Sequence, residues 1–211
     1  MDPKKEMYRK RGAVLVQNLQ KRHFEAYYCD DRASALQKAL ELIPDGVSVG
    51  WGGAMSAQQI GLMEALAGRN VTLLDRDRVA SAQERGALMK RCLTADVFLT
   101  GANALSLDGQ MVNIDGNGNR VAAIVYGPDS VIAVVGMNKV CDTLEQAVQR
   151  SRSVAAPANS QRFDIATPCK ATGSCHDCTS PDCICNQLLI TRHCRPAGRI
   201  KFILVGEELG L

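Results

Sequence analysis

Short apolar runs alternate with longer amphipathic stretches along most of the chain. The runs are rich in Val, Ile and Leu, and the stretches between them carry apolar residues at helical spacing. The run Val131–Val135 is apolar at every position, which is typical of a strand buried on both faces. This alternation predicts an α/β fold with a Rossmann-like mixed, mostly parallel sheet and helices on both faces.

Turn and capping residues set the bounds of the predicted elements. Asp31 stands where a helix N-cap is expected, and the pair Asp108-Gly109 favours a hairpin. The predicted helices cover residues 4–20, 32–43, 55–67, 79–92, 117–126 and 142–156. The predicted strands cover residues 23–29, 47–50, 71–74, 96–100, 131–135 and 200–205, and the hairpin covers residues 105–114.

The length of 211 residues suits one α/β domain over residues 1–211. Within it we predict an N-terminal helix in residues 1–22. A Cys-rich insertion over residues 160–198 is expected before the last strand, because the composition changes near Pro157.

Composition and charge exclude several classes of function. The net charge is +3, and the aromatic residues are one Trp, four Tyr and four Phe, so a nucleic-acid partner is not expected. No run approaches the roughly 18 apolar residues that span a membrane, and no signal-peptide pattern opens the chain. We therefore expect a cytoplasmic protein whose thiols stay reduced.

A glycine-rich turn follows one of the predicted strands. Gly50, Gly52 and Gly53 allow a ligand to approach the backbone closely, and Ser56 adds a hydroxyl at the start of the next helix, where anions bind. Packing of the strand against the helix is the alternative reason for these glycines. The third glycine of the dinucleotide fingerprint is missing and Trp51 stands in the turn, so no nicotinamide or flavin fingerprint is present.

Small polar residues are dense in the segment after the strand at residues 96–100. At the carboxyl edge of an open α/β sheet such residues bind ligands, although Asp-Gly pairs also serve turns. A lysine beyond the next buried strand is placed to pair with a phosphate or a carboxylate, or else lies on the surface. The predicted ligand-binding residues are Asn103, Asn113, Asn119 and Lys139, and the candidate catalytic carboxylates are Asp108 and Asp115.

Four stretches of the chain resemble one known family, the lactate-utilisation (LUD) domain family. They are Thr100–Ala122, Val134–Val140, Ala155–Asn159 and Gly198–Ile200. The resemblance extends over nearly the whole chain. It implies a Rossmann-like sheet with a ligand cleft at the strand ends, similar to ribose-phosphate isomerases and CoA transferases. It also implies an association with the oxidation of L-lactate.

The resemblance bears on single positions as well. The turn Gly50–Ser56 matches the place where the wider superfamily holds a phosphate or an acyl carrier, but Ala54 stands where relatives often carry Ser or Thr. The run Gly101–Gly109 is similar to methylthioribose-phosphate isomerases, which have Asp at the position of Asn103. Because an amide cannot act as a general base, the resemblance does not imply isomerase activity for this chain. A glutamate nucleophile of the CoA-transferase kind is not recognised either.

Six of the nine cysteines fall in the last quarter of the chain. An odd count in a reducing compartment fits disulfides poorly, and a Cys-x2-Cys turn places two thiolates on one metal or cluster. Three outcomes stay open: an iron–sulfur cluster, a structural zinc, or free thiols with no metal. The preferred ligands are Cys169, Cys175, Cys178 and Cys185, with Cys183 as the substitute for Cys185.

Several functions remain open. The first is a LUD-family protein that serves the oxidation of lactate or a related 2-hydroxy acid, through an anionic-ligand cleft and a metal or redox Cys segment. Without a nicotinamide or flavin fingerprint, a chain of 211 residues is expected to act with partner subunits or as a homo-oligomer. The alternatives are a transferase or isomerase acting on a phosphorylated or CoA-linked small molecule, and a non-catalytic metal or redox sensor.

Overall fold

A six-stranded sheet forms the centre of the fold. A computed structural model describes residues 2–211, and every pairing within this sheet is parallel. The strand order is β1-β10-β7-β4-β2-β3. These strands are β1 (Glu25–Cys29), β2 (Ser48–Gly52), β3 (Thr72–Leu74), β4 (Val97–Thr100), β7 (Ser130–Gly136) and β10 (Ile200–Val205). The predicted Rossmann-like sheet is confirmed.

Nine α-helices are formed within residues 2–211. They are α1 (Pro3–Lys21), α2 (Arg32–Glu41), α3 (Met55–Gln59), α4 (Leu62–Ala67), α5 (Ala82–Arg91), α6 (Asn119–Val125), α7 (Leu144–Arg150), α8 (Ala156–Ser160) and α9 (Pro168–Thr172). The predicted N-cap of α2 is confirmed, since the Asp31 carboxylate accepts the Ser34 amide at 2.8 Å. Within residues 2–211, no helix is long and apolar enough to cross a membrane.

Strand β7 divides the core into two apolar clusters. Val131, Ala133 and Val135 point to the face covered by α1 and α6, whereas Ile132 and Val134 point to the face covered by α2 and α4. All five residues are fully buried. A strand buried on both faces has no polar side to alternate with, which explains its continuous apolar run.

A second, four-stranded sheet has the order β8-β5-β6-β9. Its strands are β5 (Ala104–Ser106), β6 (Met111–Asp115), β8 (Val140–Cys141) and β9 (Gln187–Thr191). The predicted hairpin is β5–β6, and Gly109 occupies its turn with φ +93°. No strand was expected inside the Cys-rich insertion, yet β9 lies there and pairs antiparallel with β6. This pairing holds the insertion against the rest of the fold.

Two predicted helices are interrupted in the structure. The helix expected over residues 55–67 is broken into α3 and α4 at Gly61, whose φ of +80° is incompatible with a helix. The helix expected over residues 142–156 changes after α7 into a π-helical turn, Ser151–Ala155, and then continues as α8. Single π-helical turns are frequent at functional sites.

The Gly50→Ala substitution is predicted to destabilise the fold. A Cβ atom at Gly50 would lie 2.6 Å from the Cys92 sulfur. We expect the free energy of unfolding in urea to fall by about 1–3 kcal/mol, because an extra methyl group in a filled core forces strain. The double variant Gly50→Ala/Cys92→Ala should recover part of this loss.

Gly86→Ala is the matched control. Gly86 lies inside α5, and no atom approaches within 4 Å of the Cβ that alanine would add. Its stability should rise by about 0.5–1 kcal/mol, since alanine suits a helix interior better than glycine. Equal stability of Gly50→Ala and the parent protein would show that β2 tolerates a side chain there.

Candidate functional site

A cleft of about 680 Å³ opens at the carboxyl ends of β2, β4 and β7. These strands are neighbours at the centre of the parallel sheet, so the segments that follow them meet at one edge. Ligands of open α/β folds bind at this edge. The cationic side chains that line the cleft are Arg76, Arg85, Arg120, Lys139 and Arg162.

Lys139 lies at the floor of the cleft, in the short turn that follows β7. The residue is only 4% exposed. Its amine donates to the Ala102 carbonyl at 3.1 Å and lies 3.5 Å from the Ser56 hydroxyl. Burial, together with the positive charges of Arg150 and Arg120, lowers the pKa of this amine from 10.5 to about 7. No salt bridge to Lys139 is formed within residues 2–211.

A second buried cation, Arg120, stands beside this lysine. Its guanidinium donates to the Asn103 side-chain oxygen at 3.1 Å and to the Ile114 carbonyl. The nearest carboxylate oxygen belongs to Asp115, at 3.7 Å from Nε, and Nε itself has no hydrogen-bond partner within the described chain. Burial lowers the pKa of Arg120, against the opposing effect of Asp115.

Asn103 connects several of these groups. Its side-chain oxygen accepts the Ile114 amide at 2.8 Å as well as the Arg120 guanidinium, and its backbone carbonyl accepts Arg150 at 2.6 Å. With the oxygen occupied, the NH2 group of the side chain is the part that is free to donate. Among residues 2–211 it has no hydrogen-bond acceptor.

Asp115 is tied to the start of α6. Its carboxylate accepts the backbone amides of Arg120 at 3.0 Å and Val121 at 3.3 Å. These bonds hold the carboxylate at the N-terminal end of the helix. Asp115 lines the cleft, and only its Oδ2 accepts these amides, whereas Oδ1 lies 3.7 Å from Arg120 Nε and accepts no hydrogen bond within residues 2–211.

The glycine turn allows Arg120 to occupy the cleft. Gly53 has φ +60°, and a Cβ atom there would lie 2.7 Å from Nη1 of Arg120. A Cβ atom at Gly52 would lie 3.2 Å from the Arg120 Cβ. Both glycines therefore leave space for a cationic side chain of the protein itself.

The structure brings most of the predicted ligand-binding residues together. Gly53, Asn103, Asn119, Lys139 and the carboxylate candidate Asp115 line the cleft. Three more lie directly behind the lining. They are Ser56, which is next to Lys139, Gly52, which is under Arg120, and Asn113, which is fully buried and donates to the Gly101 carbonyl at 3.0 Å.

Two predicted residues lie away from the cleft. Gly50 packs against Cys92 in the core. Asp108 is in the β5–β6 turn, where Arg22 of α1 donates to it at 2.6 Å. Although desolvation opposes the shift, hydrogen bonds from Ser106 and Gln110 and the charge of Arg22 hold the pKa of Asp108 below its usual range. Asp108 therefore fixes the hairpin to the end of α1, outside the cleft.

Sequence reasoning missed the arginines of the site. Arg120 had a weak signal, because it ends a run of small polar residues and glycines. Arg150 had none, since it reads as an ordinary basic residue at the end of a helix. Only the folded chain shows that both guanidinium groups contact Asn103 and that their charges lower the pKa of Lys139.

The cysteine-rich insertion forms a second cavity of about 200 Å³. Five cysteines line it: Cys169, Cys175, Cys178, Cys183 and Cys185. Desolvation and the nearby thiols of Cys183, Cys169 and Cys175 raise the pKa of Cys185 to about 12. Within residues 2–211, no three Cys, His, Asp or Glu side chains converge closely enough to hold a single metal ion.

The other four cysteines lie outside this cavity. Cys29 and Cys92 are buried, and Cys141 is half-buried. Cys194 belongs to the last-quarter group in sequence but not in space. It is 2% exposed in the main core, and its sulfur accepts the Ile200 amide at 3.2 Å.

The cleft and the cysteine cavity share a wall. Ile114, Cys183 and Ile184 line both of them. The π-helical turn and the first residue of α8 complete this wall, since Ala155 lines the cleft, and Arg152 and Ala156 line the cysteine cavity. The two cavities are therefore neighbours separated by about one layer of residues.

Comparisons with known proteins agree with this architecture. A crystal structure of a DUF162 family protein from Deinococcus radiodurans is similar with a TM-score of 0.52, covering 95% of this chain and 97% of that chain. At 15% sequence identity this likeness shows the fold alone. No curated protein sequence matches significantly. The family model of the LUD domain matches residues 12–205, and the chain therefore belongs to the LUD domain family.

Proposed function

We propose that this LUD-domain protein binds a small organic anion of the 2-hydroxy acid class, such as lactate, in the cleft over Lys139. In this role it serves the oxidation of that acid together with partner subunits. The observation that carries the proposal is the buried amine of Lys139, which lies at the floor of an open cleft and has no carboxylate partner among residues 2–211.

Electrostatics favour an anion at this position. Lys139, Arg120 and Arg150 bring three positive charges together, and Asp115 is the carboxylate nearest to Arg120. Burying a charge without a partner costs several kcal/mol, in the range of about 3–5 kcal/mol when one partner of a pair is missing. A bound anion supplies the missing negative charge, so binding offsets a cost that the fold already carries.

Hydrogen-bond donors around the amine suit a 2-hydroxy acid. The carboxylate of such an acid pairs with Lys139, and its 2-hydroxyl accepts from the free NH2 group of Asn103. Ser56, at 3.5 Å from the lysine amine, offers a further hydroxyl. Two adjacent oxygen-bearing groups on the ligand thus match two adjacent donors on the protein.

The setting we propose is reducing, as in the cytoplasm. All nine cysteines are unpaired in the structure, including five around one small cavity. In an oxidising compartment such neighbouring thiols would form disulfides.

The size of the cleft favours a second candidate function. Its volume of about 680 Å³ lies within the range of roughly 300–1,000 Å³ for pockets that hold drug-sized molecules. A three-carbon acid would fill a small part of this space. The arginines Arg76, Arg85 and Arg162 add cations further out, which suits a transferase or isomerase with a phosphorylated or CoA-linked substrate.

Lys139→Met is predicted to abolish anion binding and to stabilise the ligand-free protein. Methionine keeps much of the volume and removes the unpartnered charge. We expect the Kd for L-lactate, measured by calorimetry, to rise by about 30-fold or more, because losing one partner of a buried charge pair costs about 2–5 kcal/mol. The Tm of the ligand-free variant should exceed that of the parent protein.

Lys5→Met serves as the matched control, because Lys5 is exposed on α1. It should leave both the Kd and the Tm unchanged. Inorganic phosphate and coenzyme A are titrated in parallel. Binding of either one without lactate binding would favour the second candidate, and binding of none of the three would contradict both.

Anion affinity is predicted to fall as the pH rises above about 7. Below this pKa the Lys139 amine is protonated and attracts the ligand carboxylate, whereas above it the amine is neutral. The pKa of the Lys139 amine is higher in the ligand-bound protein than in the free protein. Between these two pKa values, the affinity for the anion falls by up to about tenfold per pH unit. Calorimetric titrations over this range should show the slope in the parent protein and a flat profile in Lys139→Met. A slope that persists in the variant would assign the titration to another group.

A further inference from the structure

Five thiols surround one small cavity on the insertion side of the shared wall. Cys169, Cys175, Cys178, Cys183 and Cys185 come from three separate turns of the segment between α8 and β9. Such convergence needs a cause, because the segment contains little helix or strand and its thiols are not paired as disulfides.

The turns that carry these cysteines are fixed by their own polar contacts. Cys169 stands in the first turn of α9, next to the capping residue Thr167, whose hydroxyl lies 3.3 Å from the Cys169 sulfur. Gly173 and Asp177 adopt positive φ of +74° and +50° on either side of Cys175. These conformations fold the loop sharply enough to return its thiols to the cavity.

The last turn is tied to both sides of the insertion. The Asp182 carboxylate accepts the Ala166 amide at 2.9 Å, and the Asn186 side chain donates to the Gly116 carbonyl at 3.0 Å. The intervening Cys183 and Cys185 are thereby held over the cavity. The thiols are thus placed by the surrounding chain and not by bonds to one another.

The placement of the thiols around a cavity, and not around one point, distinguishes two kinds of metal centre. A tetrahedral zinc site has Zn–S distances of about 2.3 Å, so its four sulfurs crowd around one point. Here no three ligating side chains of residues 2–211 converge in that way, and the thiols instead line a space of about 200 Å³. A polynuclear cluster places iron and sulfide between its thiolates, which therefore stand farther apart.

The walls of the cavity suit a buried, negatively charged group. Ile114, Pro157 and Leu188 give it apolar sides. Arg152 also lines it, and is paired with the exposed carboxylate of Asp177. An apolar shell with one nearby cation is the kind of surrounding that tunes a thiolate-bound cluster.

We propose that Cys169, Cys175, Cys178 and Cys185 hold an iron–sulfur cluster of the [4Fe–4S] type in this cavity. Cys183 is the thiol at the wall shared with the cleft and is not a ligand. On ligation each of the four thiols displaces one small thiolate from the iron of a preassembled cluster and passes its proton to that leaving thiolate, so one Fe–S bond forms for each that breaks. The cluster enters with its iron and sulfide already assembled, so the step has no net oxidation or reduction.

The site is independent of the proposed cleft function, because its ligands and cavity are separate from Lys139. The common wall nevertheless makes the cluster a close neighbour of the cleft. Cys183 and Ile184 line both cavities, so they would lie between a ligand in the cleft and the cluster.

Anaerobic reconstitution of the full chain tests the proposal. The protein is incubated with a [4Fe–4S] cluster preassembled on small thiolates, desalted, and analysed for iron, acid-labile sulfide and zinc, with electron paramagnetic resonance after reduction. We expect about four iron atoms and about four sulfides per chain, together with a broad visible absorbance. Bound zinc at about one per chain without iron, or a metal-free protein, would overturn the proposal.

Single Cys→Ala variants locate the ligands. Cys175→Ala and Cys178→Ala should lose most of the iron and the resonance signal, while circular dichroism and the Tm of the metal-free variants confirm that the chain remains folded. Cys141→Ala is the matched control, because this half-buried thiol lies outside the cavity.

Cys183→Ala tests the choice among the five thiols. It should retain the full iron and sulfide content and change the shape of the resonance signal when the cleft is occupied by L-lactate or phosphate. Loss of the cluster in Cys183→Ala with retention in Cys178→Ala would overturn the proposed ligand set. Retention of the cluster in every variant would show that iron binds elsewhere.

Discussion

Parallel pairing of β2, β4 and β7 is the constraint on which the rest of the site depends. Parallel strands end at the same edge, so the turn after β2, the segment Gly101–Asn103 and the turn carrying Lys139 are forced into one place. None of these segments is held mainly by contacts of its own. Their convergence follows from strand order, with β4 between β2 and β7, and from the two apolar clusters that keep the sheet buried.

That convergence has an energetic consequence, because it buries cations next to one another. The pKa of Lys139 is about 7 in the folded chain against 10.5 for an unperturbed lysine, so the unfolded state binds more protons between these values. Folding is therefore penalised most below about pH 7, and the penalty disappears as the pH rises towards 10.5. The hydrogen bond from the Lys139 amine to the Ala102 carbonyl offsets part of it.

The pattern of apolar runs predicted the parallel sheet well. The types of polar residue along the chain predicted only part of the cleft. Val131–Val135 could be placed because a fully apolar run has one structural meaning in an α/β chain. Lys139 and Asn103 could be predicted because they follow such runs. Arg150 could not, since its approach to Asn103 depends on how α7 packs across β5 and β8. The strand β9 was missed for a similar reason, because Leu188 and Ile190 remain largely exposed and gain order only by pairing with β6.

The shared wall gives the insertion a role beyond closing the cleft. Ile184 contacts both cavities, and Asn186 ties the same turn to Gly116 at the cleft rim. A group bound in one of the two cavities would order this turn. Binding in the other cavity would then cost less conformational entropy, because the turn is already ordered. By linkage the effect is reciprocal, so a ligand in the cleft and a centre in the cysteine cavity would change each other's affinity by the same factor. The π-helical turn Ser151–Ala155 lies at this junction, where Ala155 lines the cleft and Arg152 lines the cysteine cavity.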